Sequence, residues 1–562
     1  MARYKKNQYI APDEPLIYED HGRPMSRRQF VRQGFMTGSA TVLSGGIFSM
    51  FANPNAAMAA VAPDLQALQA DIGCSLVPSG AGGSVPFICF DLAGGANLAG
   101  SNVLVGQGSG QMDLLSTAGY SKLGLPGDML PGQDDTGVAL LNTSNGDFTN
   151  SELNLLFHAD SPMLFGIREK APNAIASGQI DGSVIPARSD NDTGNNPHNP
   201  LYGLVMAGAR GEVVDIIGSR SSVSGGNSMA PAMQINAEFR PTKVDRPSDV
   251  TGMVEVGDLT SILGAEDVTA VMESIARVTH EKLKLGTINT GLNTGSPLTQ
   301  DEIIKDMIRC NYLKAADITD RFATRPVDPL GDADIRSIFS DTELGIVGNG
   351  DREFIKTASV MKMVLNGFAA GGCVTMGGYD YHTGDRTVGE NRDLRAGRCI
   401  GACLEYAQLL GKPLMIYVFS DGSVFSNGNP DDSQSTGTGE GLRLGGEGKG
   451  QWTGDNSSTA CSYFLAYDPL KNVPIYGGGS PRPVELHRQI GRMSSGASVV
   501  TSATPAANNV NLLVNMMLLN YMALNGSVTP GDVSAFIAAF PNHGLGNNIE
   551  DYIAFGSILP PP

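Results

Sequence analysis

Five side chains of the kinds that hold divalent cations stand at or just beyond predicted strand ends. Asp91 follows the apolar run 85–90. Asp380 and His382 lie in Tyr379-Asp380-Tyr381-His382, after an apolar segment that closes in Gly377-Gly378. Asp421 follows the apolar run 413–419, and Asp455 lies in the polar stretch beyond it. Carboxylates mixed with imidazole suit zinc or manganese. A metal held there would polarise a phosphoryl or sulfuryl oxygen and activate a hydroxyl, with Ser101 as the candidate, or a bound water. The oxygen-rich segment 427–458 also offers calcium ligands, but its spacing matches no EF-hand loop.

Periodicity gives the strands and helices that carry these groups. Residues 389–410 place Leu394, Ile400, Cys403, Leu404, Ala407 and Leu410 at helical spacing, and Gly411 closes the helix. Between two apolar runs, that helix makes a strand–helix–strand unit, which implies parallel strands. In open sheets of this kind, ligands bind beyond the carboxyl ends of the strands. Residues 152–176 carry apolar positions at helical spacing around His158 and Asp160. Residues 203–245 suggest short strands, and 258–285, 299–322, 351–368 and 506–524 suggest helices. The loop 188–200, dense in Asp and Asn with His198, could fold over a site.

Composition limits the function classes. The 562 residues are 41% hydrophobic and 17% charged with a net charge of −18, which describes a globular protein large enough for a substantial core. No basic stripe follows the N-terminus, so nucleic acid is not an expected partner. Seven scattered cysteines make no disulfide framework, although one or two bridges are compatible with an oxidising compartment. Cys399 and Cys403, one helical turn apart, suit a buried helix face better than a metal site.

The first 60 residues have the order of a twin-arginine export signal. Arg27 and Arg28 precede Gln29-Phe30-Val31, a Gly/Ser/Ala-rich apolar run and the small-residue stretch Ala57-Met58-Ala59. The expected organisation is a signal over 1–60 and a single large α/β domain over 61–562, with 427–458 as a long polar insertion. The expected location is the periplasm or cell surface, reached through the twin-arginine machinery, with no transmembrane segment in the mature chain.

Three stretches, with the signal and the length, resemble a bacterial twin-arginine-exported family of unknown function that is related to the alkaline-phosphatase and sulfatase superfamily. They are Phe90-Asp91-Leu92-Ala93-Gly94-Gly95-Ala96-Asn97, Gly377-Gly378-Tyr379-Asp380-Tyr381-His382 and Val418-Phe419-Ser420-Asp421-Gly422-Ser423. A fourth, Trp452-Thr453-Gly454-Asp455-Asn456, falls where that family has Gly-Thr-Asp-His. The resemblance implies an alkaline-phosphatase-like three-layer α/β/α fold with a mostly parallel sheet and long loop insertions. It also implies a divalent metal held by Asp91, Asn97, Asp380, His382, Asp421 and Asp455.

Departures from the family pattern weaken that set. Asn97 stands for an aspartate, Asp421 for a glutamate and Asn456 for a histidine, and Val424 and Phe425 replace the segment that carries the family's arginine. Amides bind divalent metals more weakly than carboxylate or imidazole. The expectation is therefore a sulfatase- or phosphatase-like protein with a degraded metal site and weak or lost catalysis. An active metal-dependent ester hydrolase is the first alternative, and His158 or His198, by supplying the imidazole that Asn456 lacks, would favour it. A component of a surface assembly, using 427–458 as a partner surface, is the second.

Overall fold

The structure is a computed structural model. It describes residues 62–559 apart from 73–82, 126, 137–143, 190–195, 255–264, 286–301, parts of 303–326, 383, 385, 432–443, 447 and 478–482. The export segment with Arg27 and Arg28, much of 299–322 and the middle of the 427–458 insertion lie outside the described residues.

Among the described residues there are eleven strands: β1 (Phe87–Ala93), β2 (Thr149–Leu153), β3 (Leu155–His158), β4 (Ile180–Pro186), β5 (Val214–Gly218), β6 (Thr242–Lys243), β7 (Ala369–Gly377), β8 (Leu414–Ser420), β9 (Val424–Phe425), β10 (Gly454–Asp455) and β11 (Cys461–Tyr467). Seven form one sheet in the order β4-β11-β8-β1-β7-β5-β6. β1 pairs in parallel with both β7 and β8, β5 with β7 and β6, while β11 runs antiparallel to β8 and β4. The strand–helix–strand unit expected at 371–420 is therefore present, but its two strands are not neighbours, because β1 lies between them. The principal helices are α1 (Pro162–Lys170), α2 (Leu201–Met206), α3 (Arg352–Leu365), α4 (Arg386–Leu410) and α5 (Val510–Leu524).

The central strands carry apolar residues on both faces, as buried parallel strands do. In β1, Ile88, Phe90 and Leu92 enter one hydrophobic core and Phe87 and Cys89 the other. In β8, Leu414, Ile416 and Val418 alternate in the same way with Met415, Tyr417 and Phe419. Residues of α3 and α4 pack into the first core and residues of α2 and α5 into the second, so helices cover both faces of the sheet. Cys399 and Cys403 are free thiols in the first core, as their spacing predicts. α1 lies close against α4 because Gly401 brings no side chain there. A Cβ at that position would meet the Ile167 backbone at 2.6 Å.

Two segments differ from their sequence expectation. Residues 152–158 are not helical: Leu153, Leu155 and Phe157 follow the two-residue period of a strand, and Asn154 (φ 59°) turns β2 into β3. Helix begins only at α1, where Ser161 accepts a hydrogen bond from Leu164 N as N-cap. Residues 203–206 belong to the helix α2 rather than to a strand, leaving β5 and β6 as the strands of the 203–245 region. The helix expected over 351–368 is α3, capped by Asp351, whose side chain accepts from Glu353 N.

Candidate metal centre

Three of the predicted ligands meet beyond the carboxyl ends of the central strands. His382 Nε2 lies 2.6 Å from Asp380 Oδ1 and 3.7 Å from Asp455 Oδ1. One ligand atom from each residue lies within 4.8 Å of the others, the one such group of three among the described residues. An ion with tetrahedral ligands about 2.1 Å away spaces them about 3.4 Å apart; the 3.7 Å separation is near that spacing, whereas the 2.6 Å one is a direct His382–Asp380 ion pair that an ion would have to part. The side chains are solvent-accessible, with Asp380 at 58%, Asp455 at 50% and His382 at 36%. Two carboxylates and an imidazole supply three ligands and leave a position open to water or substrate.

The three ligands arrive by two routes. Asp380 and His382 follow β7 directly, and Tyr379 N donates to Ala93 O at 3.0 Å, tying this turn to the end of β1. Asp455 returns from the far side of the 427–458 insertion and pairs with Val424 in the short β9–β10 ladder. Gly94 makes the close approach possible. It has φ +126°, and a Cβ on it would lie 2.8 Å from Tyr379 C and 3.1 Å from Asp380 Cβ.

The remaining predicted ligands are placed differently. Asp91 lies inside β1 rather than after it and is buried. Its Oδ2 accepts from Asn227 N at 2.6 Å and Ser228 N at 2.9 Å, and its Oδ1 from Ser228 Oγ at 3.2 Å. Burial pushes the Asp91 carboxyl up, and the N–H bonds of Ser228 and Asn227 oppose that shift. Asp421, also buried, accepts from Gly94 N at 2.6 Å and from Asn227 Nδ2 at 3.0 Å. Both carboxylates thus hold loops together behind the triad. Asn227, which bridges them, and Ser228, which bonds Asp91, carry no signal of their own in the sequence. The signal in the sequence was the Ser/Gly-rich turn 219–228 directly after the apolar run that forms β5.

Asn97 keeps its Oδ1 buried with no hydrogen-bond partner among the described residues. Its Nδ2 donates to Val424 O at 3.0 Å and its N to Tyr381 Oη at 2.8 Å. Asn456, where the family has histidine, caps a short 3-10 turn by accepting from Ser458 N at 2.7 Å. Ser101 is buried away from solvent, donating to Leu123 O at 3.2 Å and accepting from Arg386 Nη2 at 2.9 Å, so its hydroxyl is not presented as a nucleophile. Neither His158 nor His198 joins the triad. His158 is buried against Met129 O at 2.8 Å. His198 is buried beside Ser189 Oγ at 3.0 Å and stacked on Phe419. Burial holds both imidazoles low, His158 at about 4 and His198 at about 3.

Among the described residues no helix is long and apolar enough to cross a membrane. Compared with family models, curated proteins and solved structures, the chain matches none.

Proposed function

We propose that this chain is an exported metal-binding protein of the sulfatase- and phosphatase-like kind, with a site reduced to Asp380, His382 and Asp455 and with catalysis weak or lost. The observation that carries this reading is the meeting of these three side chains, from two distant segments, at the strand ends where such sheets bind ligands. The N–H donors that Asp91 and Asp421 already accept support a reduced site rather than a larger one. The bound group would be a divalent cation, with zinc or manganese favoured over calcium because one of the three ligands is an imidazole. The sequence signal around Arg27 and Arg28 supports export, and the disulfide at Cys310 suits an oxidising compartment.

Openness favours the active hydrolase as a second reading. Three protein ligands with an accessible fourth position are the arrangement of catalytic rather than structural zinc. The test is elemental analysis of the purified protein beside an Asp380→Asn/His382→Ala variant. Stoichiometric metal in the wild type and none in the variant is expected. Metal in neither would overturn the proposal, and turnover of phosphate or sulfate esters by the metal-loaded wild type would replace it with the hydrolase.

A further inference from the structure

Behind the triad, α4 and the 427–458 insertion are joined by a cluster of charged side chains that are almost wholly buried. Arg386, Glu390, Lys449 and Asp160 expose between 1% and 4% of their surface. Arg386 is the centre of the cluster. Its Nε donates to Glu390 Oε1 at 2.7 Å, Nη1 to Gly124 O at 2.9 Å and Gly450 O at 2.8 Å, and Nη2 to Ser101 Oγ at 2.9 Å. Its guanidinium carbon stands 4.3 Å from the ring centroid of Trp452. Lys449 Nζ completes the cluster with Glu390 Oε1 at 2.7 Å and Asp160 Oδ2 at 2.9 Å. Burying four charges is costly, and closing a core would be achieved as well by apolar residues. What a planar fork with fixed donors adds is geometry.

That geometry reaches both arms of the metal centre. Arg386 begins α4 four residues after His382, and Trp452 lies three residues before Asp455. Gly384 N donates to Trp452 O at 2.8 Å, joining the two arms, and Thr453 N donates to Phe425 O at 2.9 Å, aligning Asp455 in its ladder.

We propose that Arg386 is the positioning residue of the metal centre: by gripping Gly450 and Trp452 it holds the Asp455 arm at ligand distance from His382. This rests on reading the triad as a metal site. Partners that orient metal ligands without touching the metal change affinity by about 10- to 100-fold when removed.

The test is zinc and manganese titration calorimetry on the full chain as wild type and Arg386→Lys. The lysine keeps a charge opposite Glu390 but loses the fork. The control is Lys362→Met, which breaks another largely buried ion pair, that of Lys362 on α3 with Asp332. The expected result is that Arg386→Lys weakens metal binding at least about tenfold. Lys362→Met should lower the unfolding midpoint while leaving affinity unchanged. Wild-type affinity in Arg386→Lys would overturn the proposal, and so would an equal loss of affinity in both variants, because destabilisation alone would then account for it. If the wild type binds neither metal, the metal reading of the triad fails separately. The clamp is then decided by the His382 ring resonances, which must shift in Arg386→Lys and stay unshifted in Lys362→Met.

Discussion

Replacing Asp393 with asparagine should remove most of a specific pH dependence of stability. Asp393 lies on α4, 2% exposed, with Oδ2 accepting from Asn102 Nδ2 at 2.9 Å and Oδ1 buried with no hydrogen-bond partner among the described residues. Burial pushes its carboxyl from 3.8 up to about 8. The Asn102 bond and the Arg386 charge oppose this, and the Glu390 charge adds to it. The folded-state value is raised, so the folded chain keeps a proton that the unfolded chain has already lost. Stability from this group is fully present below about pH 4 and falls as pH rises through about 8, by about 1.4 kcal/mol per unit over the middle of that window. Between pH 6 and pH 8 the loss is about 2 kcal/mol. Asparagine cannot titrate, keeps an oxygen for Asn102 and places an N–H where Oδ1 lacked a partner. Urea unfolding of wild type and Asp393→Asn at pH 6, 7 and 8 reads the effect directly. The stability difference between them should move by about 2 kcal/mol in favour of the variant across that range. Parallel pH profiles would show that Asp393 is ionised in the fold and that the burial argument fails.

Two further outcomes follow from the same geometry. Gly94→Ala should lose about 1–3 kcal/mol from the left-handed backbone alone. Because the new Cβ presses on Tyr379 and Asp380, calorimetry should also show weaker metal binding; unchanged affinity would mean the turn relaxes elsewhere. Acid should also destabilise the fold through its buried imidazoles. The folded-state values of His158 and His198 lie below the ordinary 6.5, so the stability present above pH 6.5 is lost as pH falls towards 4 and 3. From pH 7 to pH 5 each contributes a loss of about 2 kcal/mol. His198→Gln should lose about that much less than wild type over the same range, as read by denaturant titration, and an unchanged loss would place the proton elsewhere.

Local sequence determined the parts whose signals are local. Continuous apolar runs identified β1, β7 and β8, because a strand covered on both faces needs no polar alternation. Helical spacing from Leu394 to Leu410 identified α4, and the Tyr379-Asp380-Tyr381-His382 turn marked two of the three triad ligands. The hairpin at Thr149–His158 was misjudged because few residues separate a two-residue from a 3.6-residue period, and only pairing across the turn at Asn154 decides between them. The tertiary structure alone decided which strand-end carboxylates come together with His382. Asp91 and Asp421 look like ligands in sequence but are taken up by Asn227, Ser228 and Gly94, from loops that reach them only through the strand order. Asp455, by contrast, is more than thirty residues from Asp421 in the chain, and it comes within 3.7 Å of His382 because β9 and β10 pair and because Arg386 grips the returning arm. Residue type sets what a side chain can bind. Its hydrogen-bond partners, which come from elsewhere in the chain, set whether it remains available to do so.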